Sequence, residues 1–175
     1  EAALGNPNAE IVCFAQDAAA SVRVQQRAIY RYLPTDLKEK KKEKIAYLNY
    51  SQQNGFTGDQ FILPNGSAVY FHTYSQFQLN RSKFEGYELG SFSPTVSNIG
   101  LWPDEYLEDG DLIETMIFRL ATRNAKMILS ATPIKGYTPF IGSYLKDAEI
   151  IKTRPATLLN NEEVPVVQRN HNKNL

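Results

Sequence analysis

The sequence predicts an α/β fold built on a mainly parallel sheet. Three observations carry this reading. Short runs of apolar, β-branched and aromatic residues recur at 9–15, 99–102 and 126–130, the pattern of strands buried on both faces. Each run is followed by apolar residues at helical spacing, and alternating strands and helices imply parallel pairing. Between the first and second runs, Asn65-Gly66 separates two further apolar stretches, a strong short-range sign of a β-hairpin.

The elements follow in order. Ala9 to Ala15 (AEIVCFA) reads as a buried strand. Asp17 and Ser21 offer helix-start chemistry. Val22, Gln26, Ile29 and Leu33 then share one helical face, with Arg23, Gln25 and Arg27 turned elsewhere, until Pro34 stops the helix. Lys38 to Lys44 (KEKKKEK) is a dense charge run, either a solvated segment or a contact for a DNA backbone. The hairpin comprises Gln60 to Leu63 and Ala68 to Tyr74. Gln76 to Asn98 is polar and weakly periodic and reads as a long loop, a class often functional. Ile99 to Trp102 is a strand that breaks off at Pro103-Asp104-Glu105. Asp111 then caps a helix to about Arg123 with Leu112, Met116 and Leu120 on one face. Lys126 to Ser130 is the next strand, and Thr138-Pro139 starts a helix with Phe140 and Tyr144 facing the core. After Arg154 the chain turns polar and Asn-rich and reads as a peripheral tail.

Composition bounds the function. The 175 residues suit one domain with a sizeable core. Basic and acidic side chains balance at 19 each, which excludes a global electrostatic footprint for nucleic acid and leaves only a local patch. The single cysteine, Cys13, lies in an apolar run and reads as a buried thiol, so the chain holds no internal disulfide and suits a reducing cytoplasm. His72 and His171 have no metal-ligand partners at suitable spacing and read as structural or surface residues. No apolar stretch approaches the ~20 residues that span a bilayer.

In parallel sheets ligands bind beyond the carboxyl ends of the strands, so the residues there matter most. Asp104 and Glu105 follow directly on a buried strand. Phosphoryl transfer to water needs one carboxylate for a hydrated magnesium ion and another to orient the attacking water. Adjacent residues on extended chain point in different directions, which separates the two roles. Asp104 is the candidate for the magnesium shell and Glu105 for the catalytic base. The next strand ends in Ser130-Ala131-Thr132, whose hydroxyls can relay nucleotide state to the segment that follows.

Strand–Asp-Glu, helix, strand–Ser-Ala-Thr is the order of Walker B and the coupling motif in ASCE ATPases. From Ala9 to Leu145 the chain resembles the ATPase domain of the terminase large subunit of tailed phages. The resemblance rests on AEIVCFAQDAAASVRVQQRAIYRYLP, the hairpin FILPNGSAVYFHTYS, the Gly-bearing segment KFEGYELGS, the element IGLWPDE, and NAKMILSATPIKGYTPFIGSYL with its Thr-Pro-x-x-Gly pattern. It implies a RecA-like (ASCE) P-loop NTPase core, a mainly parallel sheet with helices on both faces, spread as a partial ATPase domain over 1–175 with a peripheral tail from about 155. It further implies ATP and Mg2+ as cofactors and packaging of double-stranded DNA, held through its backbone, into a procapsid. The implied partners are a portal protein and a small terminase subunit, with a homo-oligomeric ring on the portal and a location in host cytoplasm. Two departures stand out. The sequence has no Gly-x-x-x-x-Gly-Lys-Ser/Thr phosphate loop and no nuclease domain, so the chain reads as a fragment with little ATPase activity alone. Where many terminases carry Arg-Gly before Walker B, this chain has Glu85-Gly86, which leaves Arg81 or Lys83 as a candidate trans-acting cation.

Two other readings remain open. Asp-Glu followed by Ser-Ala-Thr also fits a superfamily 2 helicase core, although Tyr106-Leu107 departs from its usual continuation. A non-catalytic DNA-binding or structural module fits a chain without a phosphate loop.

Overall fold

A computed structural model of the chain describes residues 1–38, 48–105, 111–130 and 139, and the backbone of 149–157 and 163–170. The chain divides into two compact units, Glu1–Thr132 and Pro133–Leu175. Most of the charge run 38–44, Thr132, the helix expected from Thr138, and His171 lie outside the described residues.

The first unit is α/β. Its sheet has strand order β4-β5-β1-β6-β7, with β1 (Glu10–Ala15), β4 (Gln60–Ile62), β5 (Ala68–Thr73), β6 (Ile99–Pro103) and β7 (Lys126–Met127), while β2 (Tyr50–Ser51) and β3 (Gly55–Phe56) form a separate antiparallel pair. Four strands run parallel and β4 pairs antiparallel with β5, so the sheet is mixed and mostly parallel, as the strand–helix alternation predicts. Every residue of β1 from Ile11 to Ala15 is buried, which explains the unbroken apolar run. The hairpin turn is as expected. Gly66 takes φ 83°, and a Cβ there would lie 2.1 Å from Asn8 Oδ1, so only glycine fits. The second strand ends one residue early because Thr73 caps α5 (Tyr74–Leu79), donating from its own N–H to Gln76 and accepting from the Gln76 N–H in a capping box.

The helix after β1 departs from the regular period. Asp17 caps α2 (Ala18–Ala20) by accepting from Ala20 N at 2.7 Å. A π-helical stretch, Ser21–Gln26, follows and leads into α3 (Arg27–Tyr32) and, past Pro34, α4 (Thr35–Lys38), α1 (Ala2–Gly5) being the short helix before β1. The wider turn brings two successive residues inward. Gln25, expected on the outer side, is buried beside Gln26. Gln26 accepts from Phe56 N at 2.8 Å and donates to Ser21 Oγ at 3.0 Å.

The period-2 alternation of the strands divides the core. Ile11, Cys13, Val69 and Phe71 join Leu33, Leu37, Phe56 and Phe61 in one cluster, against which Trp102 packs. The rings of Phe77, Phe84, His72 and Tyr74 gather around Phe14. α6 (Asp111–Ala121) buries Leu112, Ile113, Met116 and Leu120. Its Arg119 carbonyl accepts from Leu89 N.

The segment read as a long loop is more ordered than expected. It opens with α5 and a 3₁₀ turn, Arg81–Phe84, and then buries Leu89, Gly90 and Ser91. Asn98 accepts from Ser91 N and donates to Ser91 O and Arg123 O. Arg123 donates to Gly90 O and Glu88 Oε2, both at 2.8 Å, and covers the Phe92 ring at 4.1 Å. Buried polar groups are stable only when paired, and here the pairing pins the segment to the sheet.

The second unit contains β8 (Glu149–Thr157) and β9 (Glu163–Asn170), an antiparallel pair. The polar composition after Arg154 predicts a peripheral tail from about residue 155 and marks no strand in it. The Asn-rich composition outweighed the β-branched residues Val164, Val166 and Val167, which favour strand. Among the described residues no helix is long and apolar enough to cross a membrane.

The buried side chains set a stability test. Leu101 is fully buried, whereas Leu79 is 87 % exposed. Leu101→Ala is expected to cost about 2–5 kcal/mol in urea unfolding, and Leu79→Ala within about 0.5 kcal/mol of zero. Equal costs would show that β6 is not a core strand.

Candidate functional site

The carboxyl ends of β1, β5, β6 and β7 converge on Asp104. Its main chain is fixed first. Asp104 N donates to Phe14 O at 2.9 Å, and Tyr74, one residue past β5, donates its hydroxyl to Asp104 O at 2.5 Å. Asp104 bridges Ser130 in parallel register beyond the end of β7. Ser130 N donates to Pro103 O at 3.2 Å, and Glu105 N donates to Ser130 O at 2.6 Å.

The side chains use the same contact. Ser130 Oγ donates to Asp104 Oδ1 at 2.5 Å and accepts from Trp102 Nε1 at 2.8 Å. A hydroxyl that donates to an ionised carboxylate makes a charge-assisted bond, stronger than one between neutral groups. Asp104 Oδ2 takes no hydrogen bond among the described residues. Asp104 is half-buried and Glu105 exposed.

Glu105 stands at φ 56°. The other non-glycine residues at positive φ among those described are Asn8, Asp59 and Asn124, types that tolerate this region well. Glutamate does not, at a cost on the order of 1 kcal/mol. The bond from its N–H to Ser130 O holds it there. The expectation that extended backbone separates the two carboxylates does not apply at Glu105, which is left-handed and not extended.

The arrangement brings together Asp104, Glu105 and Ser130. Thr132 falls outside the described residues. Arg81 is engaged with α6: its Nε donates to Thr115 Oγ1 at 2.9 Å, Nη1 lies 3.3 Å from Asp111 Oδ2, and the guanidinium covers Phe77. Lys83 is exposed on the 3₁₀ turn. Asp111, read as the cap of α6, is its first residue instead.

Three further residues support the site: Trp102, Tyr74 and Gln25. Trp102 was read only as the end of an apolar run, yet it lies two positions before Asp104, and period 2 puts both on one face. Tyr74 is at a strand end, where the same rule that found Asp104 applies. Gln25 donates from Nε2 to both Phe14 O and Trp102 O at 3.3 Å, and no sequence signal marks the π-turn that brings it inward.

The donor set suits a hard cation. A carboxylate with one free oxygen beside a hydroxyl matches the oxygen ligands and retained waters of magnesium. Among the described residues no three His, Cys, Asp or Glu side chains gather to hold a metal alone, so such an ion would complete its shell with water or phosphate oxygens. Burial pushes the Cys13 thiol up, and the Asp104 charge adds to this. Cys13 is thus an inert core thiol. Comparison of the chain with protein-family models, curated proteins and solved structures finds no match.

His72, on β5, is bonded to Tyr87 Oη at 2.9 Å. Burial, and then the Lys83 charge, lower its pKa from the ordinary 6.5. The unfolded chain therefore takes up a proton that the folded chain resists. Stability is full above about pH 6.5 and falls as pH drops toward the folded value. Urea midpoints measured across that window should decline in the parent and decline less in His72→Phe. Parallel declines would place the sensitivity elsewhere.

Proposed function

We propose that the chain is the ATP-hydrolysing part of a DNA-packaging motor with a RecA-like core, of the kind found in terminase large subunits. The observation that carries this reading is the bond between Ser130 Oγ and Asp104 Oδ1, made where the adjacent parallel strands β6 and β7 end. A Walker B carboxylate and a coupling-motif hydroxyl need such a juxtaposition, and a surface turn does not. The left-handed, exposed Glu105 supports the reading, because strained non-glycine backbone clusters at functional sites.

In this reading Asp104, its Oδ1 engaged by the Ser130 hydroxyl, would hold the magnesium shell. The ion, when bound with ATP, neutralises charge developing on the phosphates. Glu105 orients a water and accepts its proton. The backbone of both acidic residues is tied down, by Phe14 O, the Tyr74 hydroxyl and Ser130 O, so that little reorganisation is needed. Ser130 and Thr132 pass the state of the site to the residues after β7. Arg81 is committed to α6, so the exposed Lys83 is the better candidate for a cation reaching a neighbouring subunit's ATP. Double-stranded DNA, contacted through its phosphates, a portal protein, a small terminase subunit and a ring of copies belong to the same proposal. The phosphate-binding loop is not in these 175 residues, so the test belongs to a protein carrying this domain together with such a loop.

DNA-stimulated ATP hydrolysis by that protein should fall about 10²–10⁴-fold in Glu105→Gln, with ATP binding retained. Asp104→Ala should lose turnover and magnesium dependence together. If both variants hydrolyse ATP like the parent, Asp104-Glu105 is only a turn and the reading fails.

A further inference from the structure

We infer that Trp102 is a positioning residue for Asp104, acting through Ser130: the indole fixes the serine hydroxyl on Oδ1 and so leaves Oδ2 as the oxygen that meets a cation. The inference rests on the reading of Asp104 as a magnesium-shell carboxylate, and it concerns a residue that the two-carboxylate scheme does not use.

The direction of the relay follows from donor chemistry. An indole N–H donates and cannot accept. Its contact with Ser130 Oγ at 2.8 Å therefore makes the serine oxygen an acceptor. A serine hydroxyl has one proton, and with its oxygen engaged by the indole that proton goes to the nearest acceptor, Asp104 Oδ1 at 2.5 Å. A serine facing Asp104 alone could rotate to other acceptors. The indole removes that freedom.

The indole itself is held by the core. Trp102 packs on the buried cluster that contains Cys13 and Phe71. Its carbonyl accepts from Gln25 Nε2, which also holds Phe14 O. Gln25 is 1 % exposed, and its Oε1 has no partner. Its inward position depends on the π-turn, a feature frequent at functional sites. A continuous path thus runs from the helix after β1, through Trp102 and Ser130, to the carboxylate. Occupation of Oδ2 draws charge from the carboxylate, weakens the serine bond, and is felt at the indole.

Trp102 is the single tryptophan, so its indole N–H gives one resonance in a proton–nitrogen correlation spectrum of the chain. Ser130→Ala should move that resonance upfield and speed its exchange with solvent. Ser130→Thr, which keeps a hydroxyl, should restore it. Asp104→Asn should move it in the same direction by less, although residue 104 does not touch the indole. Magnesium titration should shift the resonance in the parent and leave it in place in Ser130→Ala. Backbone amide spectra check that each variant is folded. A response to Ser130→Ala without one to Asp104→Asn ends the relay at the serine and overturns the inference, leaving the ATPase reading intact. No response to either removes the hydrogen bonds themselves. Responses to both variants but none to magnesium keep the relay, but remove Asp104 as a cation ligand and with it the role of Oδ2.

Discussion

Parallel pairing of β1 on both sides is the constraint on which the rest depends. A strand buried from Ile11 to Ala15 has to satisfy its backbone groups within the sheet. Here β5 and β6 satisfy them, both in parallel register. Parallel neighbours require the chain to cross back over the sheet each time, and those crossings gather the ends of β1, β5, β6 and β7 at one edge. Phe14 is the pivot of that edge. Its carbonyl accepts from Asp104 N and Gln25 Nε2, and its ring is the centre of the cluster with His72, Tyr74, Phe77 and Phe84.

The edge concentrates hydrogen bonds on one residue. Asp104 is held at its N–H, its carbonyl and one carboxylate oxygen, each by a different element. Such a residue has little conformational freedom left, and the next one bears the cost as a left-handed glutamate. Structures keep strain of this kind where the surroundings over-determine the backbone. This combination, rigid carboxylate and strained neighbour, is the physical basis of the proposed ATPase reading.

Legibility in the sequence varied with the range of the interactions involved. The hairpin was readable because its turn is decided by four consecutive residues, with Gly66 at φ 83°. The core strands were readable because burial on both faces leaves an apolar run with no alternation. Gln25 departs from the regular helical period because the wider π-turn brings it inward beside Gln26. The stretch from Gln76 to Asn98 looked like a free loop because its anchors, Arg123 and Asn98, are polar residues whose burial no periodic pattern announces. The pairing of β8 with β9 was hidden by the Asn-rich residues around it.

The sequence by itself determined the order and kind of the core strands and the residues that end them: Asp104-Glu105 after β6 and Ser130 after β7. These follow from local hydrophobic pattern and breaker residues. Only the tertiary structure decided that Ser130 bonds Asp104, that Trp102 bonds Ser130, that Tyr74 holds the Asp104 carbonyl, and that Gln25 holds Trp102. Those partners are separated by 26, 28, 30 and 77 positions. A hydrogen bond across such distances depends on angles and offsets of a fraction of a residue spacing. The assembled sheet fixes these, and residue order alone does not encode them.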